Sequence, residues 1–174
     1  MGIVYDKISL VIHKLSDVLN KLACVIVVVV GLIMTSCLVW GVFTRFILHD
    51  PAIFTEEVAR FCMIWLAFTG SSIAMKRCEL TSYRVVVDRL PDKGRKFMEI
   101  VGTLLLLTYL VIFLISGNGA MKIFMRTKGS VTKLPLIYPA AGLYFGAGVM
   151  IVHAMAFLMD QMKVFVMSFR REGV

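Results

Sequence analysis

Residues 22–44 read LACVIVVVVGLIMTSCLVWGVFT and contain no charged side chain. Because a helix needs about 20 apolar residues to cross a hydrocarbon core about 30 Å thick, this stretch predicts a transmembrane helix. Three further uncharged runs follow, at residues 61–75, 100–121 and 134–159. Lipid offers the backbone no hydrogen bonds, so a segment that crosses the membrane must form these bonds internally, as a helix does. The sequence therefore predicts an integral membrane protein.

The four runs and their flanking residues predict an all-α integral membrane fold with four transmembrane helices in a single membrane domain, residues 1–174. The spans are expected at residues 22–48, 54–76, 96–125 and 134–160. Charged residues make up only 17% of the chain, against about 25% in soluble domains, which argues against a soluble fold. The connecting segments are too short to hold a second domain.

The positive charge of the chain predicts its orientation in the membrane. The chain has a net charge of +8. Its basic residues lie beside the apolar runs rather than along one soluble face, so we expect no nucleic-acid partner. With both termini on one side, that side carries 13 Lys and Arg residues and the other carries 6. The positive-inside rule then predicts cytoplasmic N- and C-termini. The first run exceeds the roughly 7 to 15 apolar residues of a signal-peptide core, so we expect it to remain as an anchor.

Two segments outside the spans are predicted to be amphipathic helices. Residues 3–20 place apolar side chains on one stripe and charged ones off it. Such a helix either lies in the inner headgroup layer or extends the first span by two or three turns, and the pattern alone leaves both possibilities open. Residues 80–90 predict a short interfacial helix that ends before Pro91.

Charged residues gather where the first span ends and the second begins, and we call Arg45, Glu56, Glu57 and Arg60 the charged cluster. Thr55 is the expected N-cap of the second helix, with two carboxylates in its first turn near the positive end of the helix dipole. Both acids are spaced to reach Arg60, and Arg45 is placed to complete a network between the helices. This cluster is expected to join the two helices, to dock a partner, or to handle a substrate or ion directly.

Small residues predict where helices make close contact. Candidates for helix packing or for a subunit interface are Trp65, Ala67, Gly70, Ser71 and Ala74 in the second span and Gly142 and Gly146 in the fourth. The last two form a GxxxG pattern, which permits close backbone approach either within the chain or against another subunit.

The sequence offers no constellation for catalysis, a cofactor or a metal. Only His153 among the three histidines lies within a span, so no pair of histidines is placed to ligate haem across the bundle. The four cysteines show neither a CxxC metal pattern nor a disulfide framework. We therefore expect no cofactor or metal in this chain and no enzymatic activity.

Short motifs spread over nearly the whole chain resemble those of a known family. They are FTEEVAR at 54–60, Trp65, FTG at 68–70, AMKR at 74–77, VDRLP at 87–91 and LP at 134–135. This pattern is similar to that of the small membrane subunit of tripartite ATP-independent periplasmic (TRAP) transporters, the DctQ-like family. The resemblance implies four helices with both termini in the cytoplasm.

The resemblance also implies a role in the inner membrane of a bacterium or archaeon. In such systems a periplasmic substrate-binding protein captures an organic acid, such as a sialic acid or a C4-dicarboxylate. A large multi-span transporter subunit then moves it inward with a sodium gradient, and sodium is expected in that subunit. The small subunit is implied to be a stationary scaffold whose partners are the large subunit, the binding protein and membrane lipids.

An alternative is a self-sufficient homo-oligomeric channel or small exporter. A transport path needs polar or ionisable groups at mid-membrane or broken helices. The middles of the first, third and fourth spans offer only Thr and Ser. We therefore expect the chain to transport nothing alone, and a membrane-bound enzyme is disfavoured by the lack of ligand pairs.

Overall fold

The computed structural model describes residues 2–77 and 92–171. Within these ranges the predicted all-α fold with four transmembrane helices is confirmed, because each helix is long and apolar enough to cross a bilayer. In chain order the helices are α1 (Gly2–Phe46), α2 (Phe54–Lys76), α3 (Asp92–Arg126) and α4 (Ile137–Arg171). The interfacial helix predicted at residues 80–90 lies outside the described residues.

Helix α1 joins residues 3–20 to the first span without a break in the backbone. Its 45 residues, at 1.5 Å each, make a helix about 67 Å long. This length is more than twice the roughly 30 Å of a hydrocarbon core. Part of α1 must therefore lie outside the core or along its surface.

Helix α4 is the centre of the bundle. It packs against α1, α2 and α3, while α2 also packs against α1. In the described residues, α1 and α3 make no close backbone contact. In the most apolar part of each helix, 44% of residues are buried in α4 and only 6% in α1, which confirms their central and peripheral positions.

A buried hydrophobic cluster lies around α4, where small side chains permit close helix packing. Its members are Met75 of α2, Leu110 of α3 and Ala147, Met150 and Ala154 of α4. Phe68 of α2 and Phe113 of α3 stack beside this cluster with ring centroids 6.1 Å apart. The aromatic pair therefore links α2 to α3 across the side of α4.

The outward faces of the bundle are apolar. In α1, Val28, Leu32 and Val39 are each more than half exposed, as are Leu105 and Ile115 in α3. Apolar surface this extensive is stable only against lipid or another protein. The molecule is thus a multi-pass membrane protein whose polar contacts concentrate at the two ends of the bundle.

Candidate functional site

Glu57, in the first turn of α2, contacts the α3–α4 connection at one end of the bundle, here called the loop end. Its carboxylate accepts hydrogen bonds from the backbone N–H groups of Val131, at 3.1 Å, and Thr132, at 2.6 Å. Gly129 provides the space for this contact, since a Cβ atom there would overlap the Glu57 carboxylate. The α3–α4 loop is itself closed by the N–H of Gly129 donating to the carbonyl of Leu134. Glu57 therefore holds a preformed loop against the start of α2.

Thr55 does not cap α2, so that prediction is wrong. The N-cap position is Ile53, which makes no side-chain capping bond. The Thr55 hydroxyl donates instead to the carbonyl of Ala52 at 2.7 Å, and the residue is 3% exposed. It packs against Gly41 of α1, where an added Cβ would lie 2.7 Å from the Thr55 hydroxyl oxygen. Helix packing has taken the place of capping at this position.

The four members of the charged cluster do not form one network between the helices. Arg60 and Glu56 approach to 3.9 Å, but both side chains are more than 60% exposed, and such pairs contribute little to stability. Glu57 turns to the α3–α4 loop. Among the described residues Arg45 makes no ion pair, and it lines a groove of about 290 Å³ together with Glu56. The predicted ion pair between Arg45 and α2 is therefore absent from the described residues. Glu57 instead joins α2 to the α3–α4 loop.

Trp65 and Gly142 meet where α2 crosses α4. A Cβ at Gly142 would lie 2.5–2.8 Å from the indole ring, so only glycine leaves room for Trp65 here. The indole N–H donates to the carbonyl of Tyr138 at 3.0 Å, near the start of α4. The rings of Trp65 and Phe145 also lie 6.1 Å apart. This tryptophan fixes the position of α2 along α4.

The GxxxG pattern continues this contact one turn further on. A Cβ at Gly146 would lie 2.6 Å from the carbonyl carbon of Phe68, so the two backbones approach closely. The small residues predicted on α2 do not make such close contacts. Ala67 is exposed, and a Cβ at Gly70 would meet nothing within 4 Å. Ser71 and Ala74 are only partly buried. An interface role for Ala67, Gly70, Ser71 and Ala74 remains a prediction.

A polar junction ties three helices together near the end that carries the chain termini; it consists of Ser16 and Asp17 of α1, Lys76 of α2 and His153 of α4. Ser16 and His153 are 3% and 1% exposed, and the Ser16 hydroxyl oxygen lies 2.8 Å from His153 Nδ1. The Lys76 ammonium donates to the Ser16 hydroxyl oxygen at 3.1 Å and to the Asp17 carboxylate at 2.5 Å. The junction thus joins α1, α2 and α4 through polar side chains.

A second contact lies further toward the same end. His13 Nε2 of α1 and the Asp160 carboxylate of α4 are 3.1 Å apart, and the two side chains are 40% and 54% exposed. Sequence reasoning missed both contacts. The available signal was that Ser16, Lys76 and His153 interrupt three different helices at the same depth.

The described residues contain no group of three or more His, Cys, Asp or Glu side chains that could hold a metal ion. Cys24, Cys37 and Cys62 are free thiols within the helices. The polar contacts described above join helices and loops to one another.

Comparison with known proteins agrees with this architecture. The family model described as "Tripartite ATP-independent periplasmic transporters, DctQ component" matches residues 34–164. The match begins within α1 and includes all of α2 and α3 and most of α4.

Individual relatives cover shorter stretches. The sialic acid TRAP transporter small permease protein SiaQ of Vibrio cholerae is 30% identical over 84 residues, 48% of this chain and 49% of that protein. The ectoine TRAP transporter small permease protein TeaB of Halomonas elongata is 30% identical over 103 residues, 59% of this chain and 52% of that protein. The isethionate TRAP transporter permease protein DctMQ of Oleidesulfovibrio alaskensis is 26% identical over 123 residues, 67% of this chain and 19% of that protein. The chain thus spans about half the length of the small permease relatives that it matches. Because the family model covers well over half of the chain, the chain belongs to the DctQ-component family of TRAP transporters.

Proposed function

We propose that this chain is the non-catalytic small subunit of a sodium-coupled, binding-protein-dependent secondary transporter for organic acids. In this role it packs beside the large transport subunit in the inner membrane and holds a fixed position while that subunit moves its solute. The proposal includes the cytoplasmic termini that the distribution of Lys and Arg predicts.

The observation that carries the proposal is that four hydroxyl groups within the helices are bonded to the backbone of their own helix. Thr35, Ser72, Thr103 and Thr108 all donate to carbonyl groups of their own helices, at 2.7–2.9 Å. A hydroxyl that donates to its own helix has no hydrogen left to donate to a passing solute. The described helices are also unbroken between their ends, whereas transport sites typically expose unwound backbone at mid-membrane. These features favour a supporting role.

A large partner is supported by the apolar outer faces and by the relatives. DctMQ is named a permease protein, and this chain matches only 19% of it. A segment like this chain is therefore found within a much longer permease, as expected if the two parts work side by side. The names of the relatives cite sialic acid, ectoine and isethionate, so we infer that the other components select the solute.

Flux through the purified chain separates this proposal from the homo-oligomeric channel or exporter. Vesicles that contain the chain alone are expected to take up organic acids and sodium no faster than empty vesicles. Saturable uptake, or ion conductance that rises with the amount of protein, would favour the channel instead.

Docking by the charged cluster is tested separately by co-purification with the large subunit of the same transport system. Arg60 is 73% exposed and its pairing with Glu56 is long, so Arg60→Glu is expected to leave the thermal stability nearly unchanged. If Arg60 faces the partner, this variant weakens co-purification, and a second change, Glu56→Lys, partly restores it. If Arg60→Glu co-purifies with the large subunit as well as the unchanged chain does, Arg60 does not contribute to the interface.

A further inference from the structure

His153 has one ring nitrogen bonded and one without a partner. The side chain is 1% exposed, and its Nδ1 lies 2.8 Å from the Ser16 hydroxyl oxygen. Nε2 is buried and has no hydrogen-bond partner among the described residues. A buried polar atom without a partner is costly, and most such atoms in folded proteins are bonded to protein or to ordered water.

The direction of the hydrogen bonds indicates which nitrogen carries the proton. Of the two side chains that contact the Ser16 hydroxyl, the Lys76 ammonium only donates, so His153 Nδ1 is the group that can accept the Ser16 hydrogen. Donation from Ser16 to Nδ1 therefore uses every polar hydrogen at Ser16, and it places the hydrogen of the neutral ring on Nε2. An imidazolium is disfavoured because it would add a second positive charge beside Lys76, whose charge Asp17 already balances. In this arrangement the orphan group is an N–H donor.

Two further orphan atoms lie on the other helices of the junction. Asn20 Oδ1 is buried without a partner one turn after Ser16 on the same face of α1. Thr69 Oγ1 is also buried without a partner, two turns before Lys76 on the same face of α2. Asn20 thus offers an acceptor on α1 one turn from Ser16, while Thr69 lies about 10 Å along α2 from Lys76.

We propose that the junction of α1, α2 and α4 is an internal water-binding site, in which an ordered water molecule accepts the hydrogen of His153 Nε2. Water fits because it accepts from His153 and donates to an acceptor such as Asn20 Oδ1, whereas an ion satisfies only one of these roles. A metal cation is further disfavoured by the positive charge of Lys76. Bound water completes the polar junction and joins α4 to α1 and α2. This inference does not depend on the proposed transport role.

The test uses the full chain, labelled with ¹⁵N-histidine and held in lipid nanodiscs. The chain contains only three histidines, so His13→Gln and His49→Gln assign the His153 signals and leave the junction intact. His153 is expected to show the neutral Nε2–H tautomer, with a protected ring proton that gives a cross-peak to bound water. His49, in the exposed α1–α2 loop, is the control and is expected to show no protected ring proton.

Two results would overturn the proposal. One is a His153 ring that carries its proton on Nδ1 or on both nitrogens, and the other is a protected Nε2–H that gives no cross-peak to water. Ser16→Ala tests the direction of the chain of hydrogen bonds, because it removes the donor to Nδ1 and is expected to yield a mixture of tautomers. The control Ser36→Ala, at an exposed position on the same helix, is expected to leave the single tautomer unchanged. An unchanged tautomer in Ser16→Ala would show that Ser16 does not direct the proton.

Discussion

Replacing Gly146 with alanine tests the close contact between α2 and α4. The new Cβ would lie 2.6 Å from the carbonyl carbon of Phe68 and 2.7 Å from its oxygen. Ordinary contacts between carbon atoms are about 3.5–4.0 Å, so the two helices must separate by roughly 1 Å. The obstacle is backbone rather than the end of a flexible side chain, so local rearrangement of a rotamer cannot relieve it. Overpacking of this kind costs about 1–3 kcal/mol.

Gly148, two residues further along the same helix, is a matched control. A Cβ at Gly148 would meet nothing within 4 Å, so Gly148→Ala adds the same methyl group without a clash. Alanine also favours a helix over glycine by about 1 kcal/mol, and this gain applies to both variants. The difference between the two variants therefore reports the clash alone.

Thermal unfolding of the purified chain, followed by tryptophan fluorescence, measures this difference. About 1–3 kcal/mol corresponds to a midpoint roughly 2–12 °C lower for Gly146→Ala than for Gly148→Ala in a chain of this size. Equal midpoints, or a higher midpoint for Gly146→Ala, would refute the close approach of α2 and α4 at Phe68.

Three further predictions concern the loop end, the position of α2 and the orientation of the chain. Glu57→Gln is expected to speed hydrogen exchange at the Thr132 amide because the charged acceptor is lost, whereas Glu56→Gln is expected not to; equal exchange in both would remove the link. Trp65→Phe loses one hydrogen bond, worth about 1 kcal/mol, and is expected to lower the unfolding midpoint by roughly 2–4 °C. Trp40→Phe changes an exposed residue and is expected to lower the midpoint less. A fluorescent protein fused to the C-terminus is expected to fluoresce in the cytoplasm, while active alkaline phosphatase at that position would contradict the predicted orientation.

The fold was predictable from the sequence because the membrane imposes a simple rule. Long uncharged runs specify four spanning helices. Each run can be recognised without knowing which other helix it packs against. The roles of Gly142 and Gly146 also follow from local spacing, since small residues four apart leave a groove on any helix. The sequence did not indicate which helix fills that groove, and Trp65 and Phe68 of α2 do so.

The polar contacts were harder to predict because their partners are distant in sequence. Helical spacing favoured a pair between Glu57 and Arg60, yet Glu57 binds backbone N–H groups 74 and 75 residues away. Two backbone donors in a preformed loop outcompete a single exposed guanidinium. Ser16 and His153 are separated by 137 residues, so only the packing of α1 against α4 brings them together. Periodicity indicates which face of a helix is buried, but not what that face meets.

We propose that this chain supports a transporter and carries no solute itself. Sodium-driven uptake is measured in vesicles that contain the large subunit and the binding protein of the same system, with and without this chain. We expect uptake with all three components and none when this chain is left out. Normal uptake without the chain would show that the large subunit does not need this support.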